Sequence, residues 1–179
     1  MPALRPFNNL LPKLGERVFV DPACQIIGDV LIGDDSSIWP GTIIRGDVNH
    51  IRIGARSNIQ DGTVIHVSHD GPDGKPVGYP TLIGDDVTIG HGAIIHACTI
   101  GDACLIGMGA IVLDGAVVQQ NGFVGAGAVI PPGKTVGSGE LWLGNPAKCV
   151  RRLSEQEIAQ LYYSAAHYVR LKDMYLAET

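Results

Sequence analysis

The most regular feature of the chain is an aliphatic residue that recurs every six positions. The pattern starts at Val20, is interrupted after Ile44 and after Ile65, and shifts by one residue between Ile95 and Ile100. A small or compact residue follows four positions later at Ser36, Thr42, Ser57, Thr63, Ala93, Thr99, Ala110 and Ala128. A six-residue period is too short for a helical repeat and is typical of a parallel β-helix.

The repeat also predicts how the coils pack. The aliphatic side chain points into the interior, the small residue fits the crowded inner corner, and neighbouring coils pair about 4.8 Å apart. The pattern resembles that of known hexapeptide-repeat proteins, and this resemblance implies three hexapeptides per triangular coil and left-handed winding. We therefore predict an all-β fold, a left-handed parallel β-helix over residues 1–150.

Two segments depart from the repeat. A polar stretch at about residues 68–80 is rich in Gly, Pro and Asp, and it predicts a loop excursion from one coil. After Gly144-Asn145-Pro146 the pattern changes, because Ser154 and Glu157 form a capping box and apolar side chains then follow with helical spacing. We predict a C-terminal α-helix over about residues 154–176 that packs on the β-helix.

Composition and charge narrow the range of partners and locations. The formal net charge of −5 over 179 residues provides no broad basic surface, which argues against nucleic acid as a partner. The four cysteines are scattered without a CxxC pair, as in a reduced cytosolic protein. No apolar run reaches the length of about 18 residues that a membrane span needs. We expect a cytoplasmic protein with a β-helix at 1–150 and a helical segment at 151–179.

Three of the six histidines take related places in the repeat. His66 directly follows Ile65 and His96 directly follows Ile95, so both take the same outward position one coil apart. Their Cα atoms should lie about 5 Å apart, and the two imidazoles can converge on one metal ion at about 2.1 Å. His91 lies on the preceding side of its coil, so a threefold trimer would bring it to the other two histidines of a neighbouring subunit.

Other polar side chains surround these positions. Arg45 falls in the column of His66 one coil earlier, and Asp61 takes the place of His91 one coil earlier with Gln60 beside it. A purely structural β-helix needs no such cluster of metal-competent groups. The remaining histidines fall outside the cluster, namely His50, His69 and His167.

These residues resemble the gamma-class carbonic anhydrases. The likeness covers nearly the whole chain and rests on Arg45-Gly46-Asp47, Asn58-Ile59-Gln60-Asp61-Gly62, His66 and the pair His91 and His96. It implies a homotrimer with three zinc sites between subunits, with Fe²⁺ or Co²⁺ as the alternative metals. The metal ligands that it implies are His66, His91 and His96. It further implies that Gln60 and Asn58 orient metal-bound water, while the residues placed around the site at the interface are Arg45, Asp47 and Asp61.

The resemblance implies a zinc-dependent lyase that hydrates CO₂ reversibly to bicarbonate through a metal-bound hydroxide. Three neutral imidazoles leave Zn²⁺ one open position, and the pKa of a water bound there falls to about 7. One departure concerns proton transfer, because Val48 stands where the family prototype has a glutamate that moves protons. Fast hydration needs a route for the proton away from the metal-bound water, so this departure predicts slow turnover, another proton shuttle or an inactive site.

Two other functions fit the same fold. A hexapeptide acyltransferase or thioesterase acting on an acyl-CoA would use the β-helix, but its catalytic base is often a lone histidine and three clustered histidines are not needed. A catalytically silent trimeric assembly protein is the other alternative. Metal content and CO₂ hydration would distinguish a carbonic anhydrase from both of these alternatives.

Overall fold

The computed structural model describes residues 4–71 and 78–178. The chain winds as a left-handed parallel β-helix of short strands and ends in one α-helix, which confirms the predicted fold class. Each coil has three sides, so neighbouring coils stack into a prism with three faces. The long strands β4 and β6 each pass round one corner of the prism and contribute to two faces.

The first face carries the outward positions of Arg45, His66 and His96. Its parallel strands are β1 (Leu4–Arg5), the first part of β4 (Gln25–Ile32), the first part of β6 (Ile43–Ile53), β8 (Val64–His66), β11 (Ile94–His96), β14 (Ile111–Val112) and β17 (Val129–Ile130).

The second face consists of the strands that follow the next corner of each coil. They are β2 (Lys13–Leu14), the later parts of β4 and β6, β9 (Thr81–Ile83), β12 (Thr99–Ile100), β15 (Val117–Val118) and β18 (Thr135–Val136).

The third face ends in an antiparallel hairpin that the sequence pattern did not predict. Its strands are β3 (Phe19–Val20), β5 (Ser37–Ile38), β7 (Asn58–Ile59), β10 (Thr88–Ile89), β13 (Leu105–Ile106), β16 (Phe123–Val124), β19 (Glu140–Gly144) and β20 (Ala147–Arg152). The hairpin closes at Asn145-Pro146, where the hexapeptide repeat stops. The division of the chain at residue 150 stays a prediction, and β20 runs across it.

The core of the prism follows the predicted repeat. The recurring isoleucines Ile44, Ile65 and Ile95 are fully buried, and each rests on its equivalent in the next coil. Small residues fill the inner corners, where buried hydroxyls donate to backbone carbonyls of the adjacent coil; Ser36 Oγ lies 2.8 Å from a carbonyl oxygen. The prediction for Thr99 is wrong, because the one-residue shift places the buried Cys98 at the inner corner instead.

Both interruptions of the repeat are accommodated without breaking the stack. The additional residues after Ile44 lie within β6, and the register between β4 and β6 shifts between Gly28 and Val30. The excursion at 68–80 is closed at its base by Ser68 and Tyr79. The Ser68 amide donates to the Tyr79 carbonyl at 3.2 Å, and the Tyr79 amide donates to Ser68 Oγ at 2.9 Å. Residues 72–77 lie outside the described residues.

Helix α1 (Glu155–Glu178) begins and ends within two residues of the predicted bounds. The capping box is present, because the Glu157 amide donates to Ser154 Oγ at 3.2 Å and the Ser154 amide donates to Glu157 Oε2 at 2.9 Å. Leu161 and Ala165 are buried against the third face, whereas Tyr162 is exposed. The described part of the chain has no helix that is both long and apolar enough to cross a membrane.

Candidate metal centre

His66 and His96 lie side by side on the first face. Their Cα atoms are register partners in β8 and β11, as the phase of the repeat predicted. His66 Nδ1 faces His96 Nε2 at 3.3 Å, and the two ring centroids are 5.3 Å apart. Each imidazole therefore presents one ring nitrogen to the same narrow space.

The other ring nitrogen of each imidazole is bound by a carboxylate. His66 Nε2 donates to Asp47 Oδ1 at 2.9 Å, and His96 Nδ1 donates to Asp114 Oδ2 at 2.9 Å. Because a carboxylate can only accept hydrogen bonds, the proton of each neutral imidazole lies on the nitrogen that faces the aspartate. Asp47 was among the predicted residues, but sequence reasoning missed Asp114.

Asp47 joins His66 to Arg45. Arg45 Nη1 donates to Asp47 Oδ2, and the guanidinium lies one coil before His66, as expected from the pairing of Ile44 with Ile65. Partial burial raises the pKa of the Asp47 carboxyl, but the hydrogen bonds from His66 and Arg45 outweigh it and hold the pKa below its usual range. Asp47 is therefore ionised at neutral pH and can keep its bond to the imidazole.

His91 lies away from this pair. It follows β10 and precedes β11, so it sits at the corner where the third face meets the first. His91 Nδ1 contacts Asp61 Oδ2 at 2.8 Å, and both side chains are about half exposed. Across residues 4–71 and 78–178 of a single chain, no three His, Cys, Asp or Glu side chains are grouped closely enough to hold a metal ion.

Asn58 and Gln60 form a buried polar chain at the end of β7. Gln60 Nε2 donates to Asn58 Oδ1 at 3.0 Å, and Asn58 Nδ2 donates to Thr88 Oγ1 at 2.9 Å. Both amides are more than nine-tenths buried. The chain of donors fixes the Gln60 amide and leaves its Oε1 as an acceptor for a further hydrogen bond.

Two buried thiols and two further histidines make their contacts away from the imidazoles of His66 and His96. Burial raises the pKa of Cys98 and of Cys104 to about 12, so both thiols stay protonated and packed. His69 Nδ1 binds the Asp70 carbonyl at 2.6 Å within the excursion. His167 packs between Tyr163 and Tyr168 on helix α1.

Three relatives match nearly the whole chain. Protein YrdA of Escherichia coli (strain K12) is 50% identical over 97% of this chain and 94% of its own length. A probable carbonic anhydrase of Methanocaldococcus jannaschii is 45% identical over 89% of this chain and 96% of its own length. Gamma carbonic anhydrase 2, mitochondrial, of Arabidopsis thaliana is 47% identical over 93% of this chain, which spans 59% of that longer protein.

The repeat and the fold are shared with other hexapeptide proteins. The family described as bacterial transferase hexapeptide (six repeats) matches residues 12–46. The crystal structure of a hexapeptide transferase family protein from Anaplasma phagocytophilum is 44% identical, with a TM-score of 0.89 over 96% of this chain and 97% of that chain. Together with the relatives named carbonic anhydrase, these matches show that the chain belongs to the gamma-class carbonic anhydrase family of hexapeptide-repeat proteins.

Proposed function

We propose that this chain is a metal-dependent carbonic anhydrase that hydrates CO₂ reversibly to bicarbonate. The observation that carries the proposal is the 3.3 Å separation between His66 Nδ1 and His96 Nε2. Two nitrogen ligands at about 2.0–2.1 Å from a tetrahedral zinc ion lie about 3.3–3.4 Å apart. The two imidazoles therefore fit adjacent positions of one tetrahedral site, for which Zn²⁺ is the proposed metal and Fe²⁺ or Co²⁺ the alternatives.

The third ligand in this proposal is His91 of a neighbouring subunit. His91 lies at one edge of the first face, while His66 and His96 lie at the other edge. Between these edges runs a column of outward aliphatic side chains, in which Ile43, Val64 and Ile94 are each about 40% exposed. A threefold homotrimer would bury this apolar column and bring opposite edges of adjacent subunits together.

In this proposal the histidines bind the metal ion, and the buried amides orient the attacking oxygen. A divalent ion held by three neutral imidazoles supplies a bound water with a pKa of about 7. Gln60 Oε1 is the acceptor at the end of the chain that runs through Asn58 to Thr88, so it can orient the attacking oxygen. Asp47 holds His66, and Asp61 holds His91, which fixes the rings of both ligands.

Arg45 and Asp47 have a second role in the proposal. Their ion pair lies beside His66 on the first face, and the Arg45 side chain is about two-fifths exposed in the single chain. An arginine at the edge of a subunit interface can reach a carboxylate of the neighbouring subunit, and Asp61 lies at the edge that the trimer would bring near. The ion pair of Arg45 with Asp47 would then couple the position of the metal site to formation of the trimer.

A cytoplasmic location is also part of the proposal. The four cysteines are free, and three of them are buried. Free thiols are expected in a reducing compartment, where disulfides rarely persist.

The function is tested by metal analysis of anaerobically purified protein and stopped-flow CO₂ hydration on the same sample. We expect close to one divalent ion per subunit and hydration that is lost together with the metal in His96→Ala. The matched control is His167→Ala, which removes a histidine on helix α1 and should change neither the metal content nor the rate of CO₂ hydration. A wild-type protein that takes up no Zn²⁺, Fe²⁺ or Co²⁺ would contradict the proposal.

An acyltransferase or thioesterase is the second candidate, supported by the similarity to the hexapeptide transferase family protein. It predicts turnover of a CoA thioester by protein from which the metal has been removed. The carbonic anhydrase proposal predicts that the metal-free protein does not turn over a CoA thioester.

A further inference from the structure

We propose that Asp114 is a positioning residue for His96 and sets the metal affinity of the site. This inference rests on the proposed function, but it assigns a role to a residue outside the predicted site. Asp114 Oδ2 accepts a hydrogen bond from His96 Nδ1 at 2.9 Å. The bond joins adjacent coils, because Ile95 pairs with Val112 and Asp114 follows two residues later.

The bond determines which nitrogen of His96 can bind a cation. With its proton on Nδ1, the neutral ring carries its lone pair on Nε2, the nitrogen that faces His66. The bond from His66 Nε2 to Asp47 likewise leaves a lone pair on His66 Nδ1. With both carboxylates in place, the two lone pairs point into the same space, 3.3 Å apart, where one cation can be bound by both.

The backbone holds Asp114 firmly in this position. The Asp114 carbonyl accepts the Gly133 amide at 2.9 Å, and the next amide, that of Gly115, donates to the Ala97 carbonyl at 2.7 Å. Gly115 has a φ of +66°, and a Cβ at this residue would lie 3.2 Å from the ring of Tyr79. The corner that carries Asp114 is therefore fixed between two coils and covered by the base of the excursion.

Removal of the carboxylate should weaken metal binding without unfolding the protein. The Asp114 side chain is about two-fifths exposed, so Asp114→Ala leaves no deeply buried cavity. We expect Asp114→Ala to bind Zn²⁺ about 10- to 100-fold more weakly than the wild type, as is usual when the carboxylate behind a metal-bound histidine is lost. The zinc affinity of Asp114→Asn should lie between those of the wild type and Asp114→Ala, because the amide oxygen still accepts the hydrogen bond but carries no charge.

The test measures the zinc dissociation constant by competition with a chelator, together with the nitrogen NMR shifts of the imidazoles in metal-free protein. We expect the wild type to show His96 with its proton on Nδ1, and Asp114→Ala to show a mixture of tautomers. A structural effect alone would not produce this signature. The matched control is Asp102→Ala, since Asp102 lies at another corner and accepts from the Asp85 amide at 2.9 Å. This control should lose stability and keep its zinc affinity.

The outcomes separate this inference from the proposed function. Wild-type affinity in Asp114→Ala, with an unchanged His96 tautomer, would overturn the role of Asp114 while His96→Ala still abolished binding. A wild type without zinc affinity would overturn the proposed function and this inference with it.

Discussion

At the scale of single residues, the period of the repeat decides which side chains can meet. His66 and His96 were placed together from sequence because each directly follows an inward isoleucine, and neighbouring coils must align those isoleucines. The contact of Asp114 with His96 could not be obtained in the same way. It depends on side-chain rotamers across a corner, and the sequence around Asp114 carries no motif. A carboxylate one coil after a candidate ligand is the signal that could have found it.

Val48 provides a prediction about the rate of proton transfer. Val48 is exposed and lines a cavity of about 270 Å³ together with Asp47 and His50. Since valine cannot accept a proton, Val48→Glu should raise kcat by at least about 10-fold at low buffer concentration and leave kcat/KM unchanged. Stopped-flow hydration measures both parameters. Imidazole buffer added to the wild type is the control and should raise kcat in the same way. A Val48→Glu variant whose kcat at low buffer concentration equals that of the wild type would contradict the prediction.

At the scale of elements, the capping box and helical spacing predicted helix α1, but not how the helix is fixed to the third face. Trp39 contacts Tyr168 and Tyr175, with ring centroids 5.6 Å and 5.1 Å apart. Lys172 is fully buried and its Nζ lies 3.0 Å from Asp35 Oδ1. A buried lysine contradicts the expectation for a charged residue on a helix, so hydrophobic spacing alone could not reveal this ion pair.

The ion pair of Lys172 with Asp35 should contribute measurably to stability. Asp35→Asn weakens the contacts of this carboxylate with both Arg17 and Lys172 and leaves Asp173 as the acidic partner of the buried ammonium. The free energy of unfolding should therefore fall by about 2–3 kcal/mol, mostly through the buried Lys172. Urea unfolding measures this loss. Glu16→Gln removes a carboxylate from an exposed residue near the same corner and should leave the midpoint unchanged. An equal midpoint for Asp35→Asn and the wild type would show that the pair does not secure the helix.

The same carboxylate predicts a pH dependence. The hydrogen bond from Arg17 lowers the pKa of Asp35 to about 2, with Lys172 adding to the effect and burial opposing it. A carboxyl whose pKa is lowered on folding stabilises the fold above its unfolded pKa of about 3.9, and this contribution is lost as the pH falls towards 2. The difference in stability between the wild type and Asp35→Asn should therefore shrink between about pH 4 and pH 2. A constant difference over that range would be the contrary result.

At the scale of the whole molecule, one chain contains the parts of the proposed metal site but does not bring them together. The sequence indicated this, because the repeat put His91 on a different side from His66 and His96. The geometry of a subunit interface lies beyond any single-chain pattern, since it depends on how two surfaces fit. The exposed aliphatic column on the first face is the feature that the structure adds, as it lies between the two half-sites.

The aliphatic column should be required for assembly. Ile94 is 41% exposed and pairs with Val64 in the preceding coil, so Ile94→Asp would place a charge within the proposed interface. We expect a folded monomer in sedimentation velocity with less than a tenth of the wild-type zinc. Met174→Asp, at a more exposed apolar position on helix α1, should remain trimeric. A trimeric Ile94→Asp protein would place the interface elsewhere.

The most direct test of the proposed shared metal centre is complementation between two variants that each lack one half-site. His96→Ala keeps the edge that carries His91, and His91→Ala keeps the edge that carries His66 and His96. Each variant alone should bind no zinc. At each interface one subunit supplies the edge with His66 and His96, and its neighbour supplies the edge with His91. When the two variants are co-expressed at equal levels and assemble at random, both edges are intact at about one interface in four. Zinc content should therefore recover to about a quarter of the wild-type value. Mixed trimers without zinc would contradict a site shared between subunits.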